Sequence, residues 1–159
     1  MHQLGDGLAW DWRTVDEGVQ VTALEADLPF AVLSQNERER MNWRERHRQD
    51  AELAGWVKQL FGQAITRSGA SPAQLAFPWP AVDIEFVFRF ARPTRRDVTN
   101  YLAGCKPLID AVTIGPRTNM GVGILKDDSY IYLDSVTGRV QRHLEHAPST
   151  IMRVSRCRH

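Results

Sequence analysis

Asp97, Lys106, Asp127 and Asp128 are the residues whose types and spacing point to chemistry. Asp97 stands where a predicted strand gives way to a predicted helix, and Asp127 and Asp128 stand at the head of a later predicted strand. Carboxylates projected from the ends of elements into a common space can hold Mg2+, which takes oxygen ligands, keeps several waters and bridges to phosphate oxygens. Phosphodiester hydrolysis uses such an arrangement. The ion polarises the phosphoryl oxygen and helps ionise an attacking water, while a lysine neutralises charge developing on phosphorus. Lys106 is the candidate for that lysine: the 20 basic residues include only Lys58, Lys106 and Lys126 as lysines, and the last two lie close to clustered acids. The same residues have a plain structural use, because an aspartate at a helix entrance caps it and an Asp-Asp pair marks a turn.

The distribution of charge suggests a polyanionic partner more than its sum does. The formal net charge is +1. Residues 1–28 carry Asp6, Asp11, Asp16, Glu17, Glu25 and Asp27 against Arg13 alone, whereas residues 138–159 carry five arginines against Glu145. A further cluster, Arg89, Arg92, Arg95 and Arg96, meets no acid until Asp97. Local positive fields of this kind attract phosphate backbones regardless of overall neutrality. Arg92, Arg95 and Arg96 flank the aspartates and are the first candidates for phosphate contacts; Arg44, Arg46 and Arg48 are the second. Arg153, Arg156 and Arg158 extend the basic character towards the carboxyl end. Trp43 and Trp79 are candidates to stack on an unpaired base, an interaction worth about 1–3 kcal/mol per base. His143 and His146 have metal-ligand spacing but no partner pair nearby, which favours exposed histidines.

The elements that must position these residues follow from periodicity. A strand is expected near Val19 to Leu24. Ser34 and Glu37 form a capping box, so a long helix should follow, with Arg38 to Arg48 facing solvent or a partner. Leu53, Trp56, Val57, Leu60, Phe61, Ala64 and Ile65 form its apolar stripe, and Gly69, Ser71 and Pro72 end it. Val82 to Phe90 alternates as a half-buried strand. Helical spacing resumes at Leu102, Cys105, Leu108, Ile109 and Val112, with Pro107 forcing a kink or a fresh start. Val122 to Leu125, Ser129 to Leu133, Val140 to Leu144 and Ile151 to Val154 are expected to supply further strands, with a turn at Ser135 to Gly138. The order predicts an α+β fold: a small mixed or antiparallel sheet, a long amino-terminal helix and a second helix packed on it.

The stretch from Arg92 to Leu133 resembles the RusA family of Holliday junction resolvases, particularly versions encoded by phages and prophages. The resemblance rests on Arg96-Asp97-Val98-Thr99-Asn100, Lys106-Pro107-Leu108-Ile109-Asp110-Ala111 and Gly123-Ile124-Leu125-Lys126-Asp127-Asp128. It covers about a quarter of the chain strongly. Leu33 to Asn36 and the arginine-rich helix with Trp43 extend it more weakly, and the first 18 residues have no counterpart. The resemblance implies a RusA-like nuclease domain over residues 1–159, with residues 1–18 as an extension, acting as a homodimer that nicks four-way DNA junctions symmetrically. It makes Asp97, Lys106 and Asp128 catalytic, places Asp97, Asp127 and Asp128 on Mg2+ or Mn2+, and gives Thr99, Asn100 and Asp110 accessory positions. Thr99 departs from the family, which has a second acid there. A threonine hydroxyl ligates Mg2+ far less well than a carboxylate. Asp127, Glu85 or Asp83, and Asp110 are the substitutes within reach of the pattern. The departure also admits a branched-DNA-binding protein that does not cut, and the acidic amino end admits a protein-interaction factor on the same fold.

Composition bounds these readings. The chain's 159 residues and 18.1 kDa suit one domain, and 43% hydrophobic with 25% charged residues excludes a disordered or collagen-like chain. No apolar run reaches the roughly 20 residues of a membrane span, and the first residues lack a signal-peptide pattern, so a cytoplasmic protein is expected. Cys105 and Cys157, far apart and outside any C-x-x-C pair, suggest free thiols rather than a zinc site or disulfide.

Overall fold

The structure, a computed structural model, describes residues 2–4, 7–15, 18–92, 96–142 and 147–157. Arg95, His143, Leu144, His146 and Arg158, named above, lie outside the described residues. The fold is α+β. Six strands, β1 (His2–Leu4), β2 (Leu8–Val15), β3 (Gly18–Leu28), β4 (Val82–Phe90), β5 (Leu133–Arg142) and β6 (Ser149–Arg156), form one sheet in the order β1-β2-β3-β6-β4-β5. All pairings are antiparallel except β4 with β5. Between β3 and β4 lie α1 (Gln35–Glu39), α2 (Trp43–Ser68) and the single-turn α3 (Pro72–Leu75). Parallel neighbours need a crossover, and that crossover carries α4 (Val98–Ala103), α5 (Lys106–Val112) and the long loop after them. The region with the candidate residues is therefore the segment that joins the two parallel strands.

Residues 2–4 and 8–15 are strands of this same sheet, with Leu8 and Trp10 in the core. β4 is its centre of burial: Ile84, Phe86, Phe88 and Phe90 alternate inward, and Tyr101 of α4 packs on Phe88 and Phe90 at 5.5 and 5.4 Å between ring centres. No helix among the described residues is long and apolar enough to cross a membrane.

Several expectations need correction. The helix after Ser34 is two helices, α1 (Gln35–Glu39) and α2 (Trp43–Ser68). Asn42 and Glu45 form a second capping box and restart the chain, while Gly69 closes α2 in the left-handed conformation. Arg38 does not face solvent; it is buried and bonded to Asp50 at 2.8 Å. Trp79 is unavailable for stacking on a base, since it is buried with its indole N–H donating to the Leu75 carbonyl at 2.7 Å. Ser135 to Gly138 is not a turn but lies within β5. A Cβ on Gly138 would lie 2.8 Å from Leu102 Cδ2, so this glycine marks the close approach of α4 to the sheet. Val122 to Leu125 and Ser129 to Tyr132 are not strands. The first makes only an isolated bridge, Leu125 to Thr113, and the second coils tightly, with the N–H groups of Tyr132 and Leu133 both donating to the Ser129 carbonyl.

Candidate active site

Helix α5 opens with Lys106 and Pro107, a position where the missing proline N–H costs nothing. Lys106 and Asp110 are one turn apart and thus neighbours on the helix surface, with Nζ 2.6 Å from Oδ1. The third member arrives from farther along the chain. Beyond α5 the loop folds back on the helix: Val122 N–H donates to the Ala111 carbonyl at 2.8 Å, Ile124 N–H to Val112 at 2.9 Å, and Ile114 N–H to Leu125 at 3.1 Å. Ile124 and Leu125 are fully buried, which anchors the return in the core. Gly121 makes the closure possible, because a Cβ there would lie 2.1 Å from the Thr113 carbonyl oxygen. The chain then emerges at Lys126 alongside α5, and Lys106 Nζ donates to Asp128 Oδ2.

Lys106, Asp110 and Asp128 form an open site, their side chains 59%, 55% and 39% exposed. An exposed pair gains little stability, and the openness leaves the ammonium accessible to a polymeric substrate. Partial burial pulls the Lys106 pKa down, but its hydrogen bonds to Asp110 and Asp128, with their charges, outweigh that, and the net shift is upward. Lys106 is therefore a fixed cation and a proton donor in hydrogen bonds, not a base at neutral pH.

The remaining site residues stand apart from that trio in their bonding. Asp97 is the N-cap of α4, its Oδ1 accepting from the N–H groups of Thr99 at 3.0 Å and Asn100 at 3.4 Å. The Asn100 side chain accepts from Asn36 N–H at 3.2 Å and so ties α4 to α1. Asp127 folds its own turn, Oδ1 accepting from Ser129 N–H at 2.8 Å, and its bonds to Ser129 hold its pKa below the ordinary carboxylate value. Among the described residues, Asp97, Asp127 and Asp128 do not gather their oxygens into one close cluster. The donor set nonetheless fits Mg2+ in kind. All three are exposed carboxylates, Asp97 and Asp128 each keep an oxygen making no hydrogen bond among the described residues, and Mg2+ is commonly held by one or two carboxylates plus water and phosphate.

Of the arginines foreseen as phosphate contacts, Arg92, Arg44 and Arg48 are exposed. Arg44 lies 5.3 Å from the ring centre of Trp43, itself 72% exposed, so a cation and an aromatic face share one end of α2. Arg46 turns back to the Met41 carbonyl at 3.4 Å. Arg96 lies 4.0 Å over the Phe90 ring and donates to the Tyr101 hydroxyl at 3.0 Å, which makes it part of the α4–β4 packing. At the other end of the chain, Arg153 pairs with Glu25 at 3.7 Å and Arg156 with Gln20 at 2.5 Å.

Two groupings escaped the sequence. Asp83, Asp134 and Cys157 bring ligand-type atoms within 4.8 Å of one another, but burial and then the two carboxylates push the Cys157 thiol up to about 12, leaving it protonated and a poor ligand. Asp83 thus lies in a different grouping from Lys106. A cleft between α2 and the loop after α5 also joins residues that are far apart in sequence, such as Lys58 and Asn119, and the only advance signal was the rarity of lysine. The chain matches no protein-family profile and no curated protein.

Proposed function

We propose that this protein is a RusA-like, magnesium-dependent endonuclease that cuts four-way DNA junctions, working as a homodimer. The observation that carries the reading is the meeting of Lys106 with Asp110 and Asp128 on an open surface. Two acids around one cation leave a unit of negative charge that an incoming divalent ion would complement. The ammonium is positioned to donate to a non-bridging phosphate oxygen, and Asp128 keeps one oxygen unbonded among the described residues. A divalent cation bound by Asp128, Asp97 or Asp127 would supply polarisation of the phosphoryl group and a more acidic water. Exposed Arg44, Arg48 and Arg92 supply phosphate contacts, whose contribution falls as salt rises. A two-fold symmetric junction needs two equivalent cuts, and a pair of identical chains supplies them.

A second reading, junction binding without cutting, is favoured by the committed capping role of Asp97 and by Thr99 at the position of an expected acid. The test is gel-resolved cleavage of a labelled four-way junction beside linear duplex, in Mg2+, Mn2+ or EDTA. Symmetric nicks that vanish in EDTA and in Lys106→Ala and Asp128→Asn support the nuclease. A gel shift of the junction without nicks supports the binding protein, and neither outcome on pure, folded protein would remove both.

A further inference from the structure

A cleft of about 400 Å3 opens between α2 and the segment from α5 through its return loop. That volume is at the small end of the roughly 300–1,000 Å3 of small-molecule sites. One wall is a single face of α2, where His47, Ala51, Ala54 and Lys58 recur at three- and four-residue steps. The facing wall is made by Pro107 and Ala111 of α5 and by Pro116 in the loop, side chains too short to fill the space between. Both walls are held in place. The loop is bonded back to α5, and Lys58 Nζ donates to Asn119 Oδ1 at 2.9 Å, bridging the two sides.

The charges at the cleft indicate what it would take. Asp50 is paired with Arg38 at 2.8 Å and Asp110 shares the Lys106 ammonium with Asp128, so each acid on the lining is already held by a cation of its own neighbourhood. Lys58 has no ion-pair partner among the described residues, being held only by a neutral amide. The lining therefore offers an unneutralised ammonium beside flat, small-residue walls and the amide of Asn119. An ammonium of this kind suits a phosphate, and the walls leave a slot for a planar ring. Asp110 belongs to both places: it lines the cleft and bonds Lys106 at the candidate active site.

We propose that this cleft receives one nucleoside phosphate, an unpaired nucleotide of the strand whose backbone lies at Lys106. The proposal rests on the DNA-processing reading of the Lys106 site, and its test is independent of cutting. Ala51 is exposed on α2 and Lys58 is half-buried and without an ion pair, so Ala51→Phe and Lys58→Ala leave the core untouched.

The full chain is titrated, without divalent cation, with each deoxynucleoside 5′-monophosphate, with the unphosphorylated nucleosides and with inorganic phosphate. Binding is followed by chemical shifts or heat. Mononucleotides should saturate the protein. Lys58→Ala should weaken them about tenfold or more, as expected for loss of a charge-assisted contact, and Ala51→Phe should abolish binding by occupying the slot. Asp128→Asn, which lies outside the cleft and leaves the Lys106–Asp110 pair in place, should retain binding, which separates the cleft from the proposed nuclease centre. A four-way junction with 2-aminopurine at its centre then identifies the source of the nucleotide. A fluorescence change lost in Ala51→Phe supports a strand nucleotide, and a silent probe with saturable mononucleotides overturns the strand while leaving a free-nucleotide site. Equal binding of inorganic phosphate, or binding indifferent to both substitutions, overturns the proposal, as does no saturation at all. Failure of junction cleavage in the companion assay, with nucleotide binding intact, removes the nuclease reading and not the cleft.

Discussion

Asp128 lies 22 positions beyond Lys106, yet its carboxylate accepts a hydrogen bond from that lysine's ammonium. Asp110, a single turn along α5, is an easy neighbour; Asp128 is brought there by tertiary structure. The return loop, pinned to Ala111, Val112 and Thr113 through the backbone and buried at Ile124 and Leu125, creates the site.

Lys106 is exposed and its pairs are worth at most about 1 kcal/mol in stability. Replacing it with alanine should move the melting temperature little. Loss of a charged donor to a transition-state oxygen costs about 100-fold or more in rate, so cleavage of a four-way junction should fall by at least that much. Thermal melts and single-turnover cleavage on the same preparation check both halves. A large drop in stability with unchanged cleavage would make Lys106 a structural residue.

Gly121→Ala tests the loop rather than the chemistry. The added methyl would meet the carbonyl oxygens of Thr113 and Ala111 at 2.1 and 2.6 Å. Overpacking of this kind costs about 1–3 kcal/mol, and here the relief of strain must pull the return loop off α5. Melting should fall accordingly. Junction cleavage should fall even at temperatures where the variant is fully folded, because Asp128 shifts away from Lys106. Retention of full activity in folded Gly121→Ala would show that their meeting is incidental.

How far the sequence disclosed this arrangement depended on the range of the forces involved. Local chemistry was legible. The Ser34 capping box, the Gly69 stop, the alternation of Val82 to Phe90 and the break at Pro107 are each set by neighbours within a few residues. Asn42 and Glu45 carry an equally local signal, but the charged run from Arg38 to Arg48 around them reads as one continuous helix face and hides it. Gly138 misled for a different reason. Its lack of a side chain serves Leu102, a residue 36 positions earlier in the chain, and no local pattern distinguishes that from a turn. The site divides in the same way. Lys106 and Asp110 follow from helical spacing, whereas the approach of Asp128 and the facing of Lys58 and Asn119 come from loop closure.

The upward shift of Lys106 fixes the sign of a pH effect. Its pKa in the folded chain lies above the ordinary 10.5, so the native state holds the proton more tightly than the unfolded state. The stabilisation is fully present below 10.5 and is lost as pH rises through the folded value. The difference in melting temperature between the natural chain and Lys106→Met, small as it is, should stay constant from neutral pH to about 10 and shrink only above that. Cleavage should show no loss attributable to Lys106 over the same span. A difference that disappears by about pH 8.5 would mean that the acids do not hold the lysine in solution.

Thr99 decides whether Asp97 belongs to a metal site or only to a helix. It is exposed in the first turn of α4, and its N–H already bonds Asp97 Oδ1 at 3.0 Å. Thr99→Asp places a negative charge in the first turn of a helix, where the helix dipole favours it by about 0.3–1 kcal/mol, so the variant should melt slightly higher whatever the function. The cation discriminates. With two acids flanking the start of α4, divalent-ion affinity should rise, because carboxylates bind Mg2+ far better than a hydroxyl does. Junction cleavage should then saturate at lower Mg2+, and adding Asp97→Asn should cancel that gain. If Thr99→Asp raises the melting temperature but leaves the Mg2+ dependence unchanged, Asp97 is a helix cap alone. The chemistry must then be assigned to the surface where Lys106 meets Asp110 and Asp128.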